Sequence, residues 1–333
     1  MKTIPDTHPN IIKILKQAPE LNISDIHICS NEPICIRIDG KLKKIDEQFT
    51  TTEELINFLQ LHLPQLKINW LENIAEIDTA LEIENIARFR VNIFKKLGSL
   101  ALSLRTINSK PPSLQDIQAP QIFFELTQKT KGLILVTGAT GCGKSTTLAA
   151  MLNTINETQN GHILTIEDPI EYIHPSKNCL VSQRELYTHT ASFNLALKAA
   201  LREDPDYILI GEMRDLETIQ LALTAAETGH LVFATLHTLN AIKTIDRIID
   251  SFPVAGQNQV RSMLAESLTA IITQTLCLKP QGGRVAAFEI LIATPAIRNL
   301  IREGKIHLIQ NCLQTGQALG MQTMEMGLQK IKF

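Results

Sequence analysis

The sequence predicts an α/β protein in which a small α+β domain precedes a larger domain built on a parallel sheet. Beyond residue 130, short apolar runs of strand length alternate with helical segments. One of these runs leads directly into a glycine-rich loop and then a helix. The first hundred residues, by contrast, are crowded with short strand-like runs, and two consecutive prolines follow at 111 and 112.

In that first part, residues 11–17 read as a short helix closed by Ala18 and Pro19. Residues 24–29 and 34–38 read as strands, with Asp39 and Gly40 turning the chain before Leu42. Thr51, Thr52, Glu53 and Glu54 precede Leu55, Ile56, Phe58 and Leu59, the grammar of a helix start with a hydroxyl cap and acids in the first turn. Residues 77–83, 87–94 and 99–106 follow as strands. Pro111 and Pro112 fix φ and lack donors, so residues 108–113 read as a semi-rigid linker. The expected division is a domain over residues 1–107, a linker and lead-in over 108–130, and a second domain over 131–333.

In the second domain, Gly132–Thr137, residues 163–167, Tyr207–Ile210 and residues 231–235 are apolar strands separated by helical segments, residues 193–201 and Leu216–Glu227 among them. Strands apolar on both faces imply a parallel sheet covered by helices on both sides. From Pro295 the tail is helical and rich in Ile, Leu and Met.

The 333 residues are 44% hydrophobic and 20% charged, a globular balance. A net charge of −2 and 5% aromatics supply neither the basic footprint nor the stacking groove of a nucleic-acid binder, so nucleic acid is not an expected partner. The six cysteines contain no C-x-x-C pair, which removes zinc-site and disulfide readings and fits a reducing cytoplasm. The N-terminus lacks the apolar stretch of a signal peptide, and no run approaches the roughly 18 apolar residues of a spanning helix.

Gly138, Ala139, Thr140, Gly141, Cys142, Gly143, Lys144 and Ser145 match G-x-x-x-x-G-K-[ST] without a gap, between a strand and a helix. Three glycines allow a tight turn whose amides face a polyphosphate, and the helix that follows adds its positive end. Lys144 is expected to reach the β- and γ-phosphates and Ser145 to take a magnesium position, making ATP and Mg2+ the expected ligands. Cys142 reads as a small side chain tolerated where backbone does the binding, with a redox switch as the alternative.

Three further clusters surround the loop in sequence. Glu212 ends the strand Tyr207–Ile210 after Gly211, the pattern of a Walker B acid that holds magnesium through water, and residues 201–205 and 213–215 set it among polar neighbours. Glu167, Asp168 and Glu171 follow another strand, and one of them is positioned to orient the attacking water; spacing alone does not choose among them, and a solvated acidic turn is the alternative. His230 and His237 bracket a strand, which points to phosphate sensing rather than to core packing.

Taken together these residues resemble the PilT/VirB-type secretion ATPases, over nearly the whole chain, and within that family the type IV pilus retraction motors. Residues 296–305 are similar to the segment associated with retraction, and residues 261–268, 282–287 and 320–324 add to the likeness. The resemblance implies a RecA-like P-loop ATPase domain behind a PAS-like N-terminal domain. It implies that Glu171 is the catalytic glutamate, Glu212 the Walker B acid, and His230 and His237 the pair of the His box. It further implies Thr146 beside the nucleotide, and Arg88 and Arg105 serving the nucleotide of a neighbouring subunit in a homohexamer. The implied partners are an inner-membrane platform protein of the pilus, and a PilU-like paralogue, at the cytoplasmic face of the bacterial inner membrane. Retraction is favoured over extension because the chain has no tetracysteine site. An accessory retraction role, a secretion-traffic ATPase and a non-hydrolysing scaffold are the alternatives. Ala139 and Cys142 replace the usual proline and serine, residues 94–98 lack the usual arginine-containing turn, Phe288 stands at a position often polar, and the chain stops soon after Gly327.

Overall fold

A computed structural model describes residues 9–21, 23–38, 40–63, 76–83, 86–97, 99–107, 110–279 and 283–331. Asp39 of the predicted turn, Asn108 and Ser109 of the predicted linker, and Gly98 and Gly282 of the family-like segments lie outside the described residues. The chain divides into two compact units, Met1–Ser109 and Lys110–Phe333.

In the first unit, β1 (Asp25–Cys29), β2 (Pro33–Ile38), β3 (Lys41–Phe49), β4 (Glu76–Ile83), β5 (Ala87–Lys96) and β6 (Ser99–Ile107) form one antiparallel sheet in the order β3-β2-β1-β6-β5-β4. Alternation along each strand sends Ile26, Ile28, Phe89, Val91, Leu102 and Leu104 to one face. There α1 (Pro9–Glu20) and α2 (Thr52–His62) cover them with Ile11, Leu15, Leu55 and Phe58. The other face aligns Asp25, Arg105 and Arg90 on adjacent strands.

Helix α2 starts where the sequence places it. Thr51 caps it, accepting from Glu54 N at 3.2 Å while the Glu54 carboxylate accepts from Thr51 N at 2.8 Å, so two end donors are satisfied at once. Helix α1 runs further than expected, through Pro19 to Glu20. In the last turn the proline forfeits only one bond, and Leu21 N still closes that turn on Gln17 O at 3.0 Å.

The second unit holds β7 (Gly132–Thr137), β8 (His162–Glu167), β9 (Leu180–Glu185), β10 (Tyr207–Ile210), β11 (Leu231–Leu236), β12 (Leu268–Leu278) and β13 (Arg284–Ile292), in the order β13-β12-β7-β11-β10-β8-β9. All neighbouring pairs are parallel except β12 with β13. Leu133 and Leu135 of β7 face a core built with α5 (Phe193–Ala200), α6 (Leu216–Glu227), α7 (Ala241–Asp250), α8 (Gln257–Ser267) and α9 (Pro295–Arg302). Ile134 and Val136 face the opposite core, closed by α3 (Gln121–Thr127) and α4 (Lys144–Thr158). Helices α10 (Ile309–Thr315) and α11 (Met324–Lys330) complete the tail. The observed fold class is the α/β class the sequence predicts.

Three strands escape the sequence reading. β9 is polar because it is the sheet edge, and β12 and β13 form a long hairpin that adds an antiparallel strand to the other edge. Among the described residues no helix is long and apolar enough to cross a membrane.

Strand order fixes what comes next. The carboxyl ends of β7, β11, β10 and β8 open on one edge in that sequence. With strands about 4.8 Å apart, the end of β8 lies about 14 Å from the end of β7 unless its loop reaches back.

Candidate functional site

The glycine loop leaves the centre of the sheet at the end of β7, and its Gly143 is the cap of α4 in a left-handed conformation, φ 91°. Gly138 has φ 140°, and a Cβ there would overlap the Gln274 carbonyl oxygen and the Cys142 sulfur, so glycine is required on two grounds. The Lys144 ammonium folds over the loop, donating to Gly138 O at 2.9 Å and Ala139 O at 3.0 Å. Ser145 and Thr146 stand in the first turn of α4, half-buried. Cys142 is buried, and that burial raises its thiol pKa, with Lys144 pulling the other way; a protonated, enclosed thiol suits the packing reading better than the redox one.

Next along the edge, His237 follows β11 and Glu212 follows β10. The His237 Nε2 lies 3.2 Å from one Glu212 oxygen, and Arg214 Nη2 lies 2.7 Å from the other. Burial pushes the Glu212 carboxyl up, but Arg214 and His237 together outweigh it and hold the group below the usual value, so it is ionised. Thr235 Oγ1 donates to Gly211 O, and Met213 N to Thr235 O at 3.1 Å, which fixes the backbone on both sides of Glu212.

The acidic turn after β8 does reach back. Tyr172 OH is 3.1 Å from Thr146 Oγ1, which ties the residue beside Glu171 to the start of α4. Gln183 of β9 holds the same turn from behind, donating to Tyr172 O at 2.9 Å and accepting from His174 N at 2.8 Å. Glu171 itself is exposed at the end of this clamp. Glu167 is of another kind. Burial pushes its carboxyl up to about 7, against hydrogen bonds from Thr165 Oγ1 at 2.7 Å and Gln183 Nε2 at 3.3 Å.

The structure separates two sets of residues that the sequence groups together. His230 precedes β11 and therefore sits at the amino edge of the parallel sheet, a strand length away from the loop, where its Nδ1 donates to Ala225 O at 2.9 Å. Within one chain the two histidines do not face one site, because opposite ends of a strand reach opposite edges of the sheet. The polar stretch 201–205 likewise precedes β10; Glu203 pairs with Arg184 at 3.0 Å, far from the edge that holds Glu212. Asp215 is the cap of α6, accepting from Thr218 N at 2.9 Å.

In the N-terminal unit Arg105 pairs with Asp25 at 3.0 Å, and Arg88 lies opposite Ile107 and Glu82 on β5. Residues that sequence reasoning missed are Tyr172, Gln183 and Gln274, whereas Arg214 stands among the polar neighbours expected of Glu212. Gln274 gives no signal, because the sequence does not mark β12 as a strand and the run Thr273-Gln274-Thr275 is polar.

Fold and site together define a P-loop nucleotide hydrolase with its acids on the sheet edge beside the loop. The family described as type II/IV secretion system protein matches residues 6–332. A twitching motility protein of Neisseria gonorrhoeae is 53% identical over 324 residues, covering 97% of this chain and 86% of that protein. The type IV pilus retraction ATPase PilT of Pseudomonas aeruginosa is 50% identical, covering 96% of this chain and 93% of that one. A crystal structure of the pilus retraction motor PilT with bound ADP superposes with a TM-score of 0.89 at 46% identity, over 96% of this chain and 92% of that one. The chain belongs to the type II/IV secretion system protein family, and it is an ATPase of that family.

Proposed function

We propose that this chain is a ring-forming ATPase whose hydrolysis drives type IV pilus retraction. The observation that carries the catalytic part is the glycine loop lying on the same sheet edge as the Glu212–His237 pair, with the Glu171 turn hydrogen-bonded to α4 through Tyr172 and Thr146. Likeness to the retraction motors supports the biological part.

In this reading the amides of residues 138–143 take the phosphates, and Lys144 exchanges its two loop carbonyls for phosphate oxygens. Thr146 lines the nucleotide from the first turn of α4. Glu171 accepts a proton from water as the water oxygen bonds to the γ-phosphorus; the bond to the bridging oxygen breaks, leaving ADP and inorganic phosphate. The Ser145 hydroxyl and Glu212 carboxylate are hard oxygen donors and suit Mg2+, partly through water. When bound, that ion offsets the charge of the polyphosphate. His237 orients Glu212.

In the same reading Arg88 and Arg105 serve the nucleotide of a neighbouring subunit, and the working form is a homohexamer. Hydrolysis then changes the angle across the segment containing Pro111 and Pro112. The motion acts on a platform protein at the cytoplasmic face of the inner membrane, and a PilU-like paralogue is a further partner. Deleting the gene and measuring surface pili and twitching tests this reading. Excess pili that do not retract is the expected result; unchanged piliation and motility would refute it.

A further inference from the structure

Gln274 stands in the middle of β12, between Thr273 and Thr275, 2% exposed, and both polar atoms of its side chain are engaged. Its Nε2 donates to the Cys142 carbonyl at 2.6 Å, and its Oε1 accepts from Thr147 Oγ1 at 2.8 Å. The orientation of the amide follows from chemistry: a carbonyl only accepts, so the nitrogen must face Cys142 and the oxygen must face Thr147. The strand also touches the loop elsewhere. Its backbone carbonyl at Gln274 abuts Gly138, and Leu276 lies against Gly143.

The carbonyl of Cys142 and the N–H of Gly143 belong to one planar peptide and point in opposite directions. Holding that carbonyl toward β12 turns the Gly143 N–H away from β12, into the loop. The loop thus does not shape itself unaided. One of its amides is aimed by a side chain 132 positions further along the chain.

We propose that Gln274 is a positioning residue for nucleotide binding: it sets the Cys142–Gly143 peptide so that Gly143 N–H meets a phosphate oxygen, and Thr147 sets Gln274. This rests on the reading of residues 138–145 as the nucleotide loop.

The test is ADP and ATP affinity measured by calorimetry on the full chain. Gln274→Leu leaves the Cys142 carbonyl without its donor and is expected to weaken both nucleotides roughly 10-fold. Thr147→Val frees the amide to turn over and is expected to reproduce part of that loss, with no further loss in the double variant. Gln274→Glu separates positioning from packing. An ionised carboxylate has no hydrogen to donate, whereas the protonated acid has the shape of the amide and can donate to Cys142 while accepting from Thr147. Its affinity relative to wild type is therefore expected to recover as pH falls from about 8 to about 6, a range open to a buried carboxyl.

Lys144→Ala serves as the control for the loop itself. If the wild type binds ADP no better than Lys144→Ala, the nucleotide-loop reading fails. If the wild type binds and Lys144→Ala does not, Gln274→Leu within about two-fold of wild type overturns the positioning role, since one lost buried bond exceeds that. Should Gln274→Leu not fold, a ratio for Gln274→Glu that stays flat across the same pH range overturns it equally.

Discussion

Glu167 and Glu171 show how two carboxyls four residues apart acquire different chemistry from their surroundings. Glu171 is exposed, next in sequence to the Tyr172 that bonds to Thr146. Replacing it with Gln is expected to leave ATP binding intact while lowering turnover about 10²- to 10⁴-fold, the loss typical of a general base; phosphate release and nucleotide titration measure the two separately. Glu167, by contrast, is pushed up to about 7 from 4.5, chiefly by burial. A carboxyl raised in the folded state adds stability that is complete below its unfolded value and is lost as pH rises through the folded one. The nucleotide-free chain is therefore expected to lose melting temperature between pH 4.5 and about 7 through this group. Glu167→Gln should flatten that part of the profile, as thermal unfolding across the range would reveal.

Among the elements, the acidic turn is the one whose position most needs explaining. It leaves β8, with β11 and β10 between that strand and the strand that carries the glycine loop. The phenol of Tyr172 on Thr146 and the amide of Gln183 on Tyr172 O and His174 N bring it back and hold it. Tyr172→Phe keeps the ring and removes only the hydroxyl. It is expected to lower kcat about 10-fold with little change in KM for ATP, because misplacing a base costs rate rather than binding. Steady-state kinetics on the assembled protein would detect the split. The hairpin of β12 and β13 has a similar standing: it reads as sheet edge, yet its Gln274 reaches the loop.

For the molecule as a whole, the glycine loop and the acids belong to the second unit, whereas Arg88 and Arg105 belong to the first. Arg105 is 68% exposed and pairs with Asp25, whose side chain is 14% exposed, so its guanidinium stays open to solvent on the sheet face. Replacing Arg88 and Arg105 together by Ala is therefore expected to leave nucleotide binding by a single chain unchanged. Turnover of the assembled protein should fall on the order of 10³-fold, the effect of an arginine supplied in trans. Wild-type turnover per chain is expected to rise with protein concentration as subunits meet. A per-chain rate independent of concentration, from chains that sediment as monomers, would contradict the shared site.

Local chemistry made much of this legible beforehand. Thr51 and Glu54 mark a helix start by residue type alone, the run Gly132–Thr137 is apolar on both faces, and the glycine loop is a contiguous motif whose backbone needs no distant partner to be recognised. Alternating apolar strands and helices likewise implied a parallel sheet, since only burial on both faces accounts for them. What the sequence could not carry was direction along the sheet and proximity across it. His230 and His237 look like a pair until β11 sends them to opposite edges, and residues 201–205 look like neighbours of Glu212 until β10 intervenes. Gln274 and Cys142, 132 positions apart, meet only because β12 lies beside β7. Motifs follow from residues close in sequence. Which side chains share an edge follows from strand order, which long-range packing alone decides.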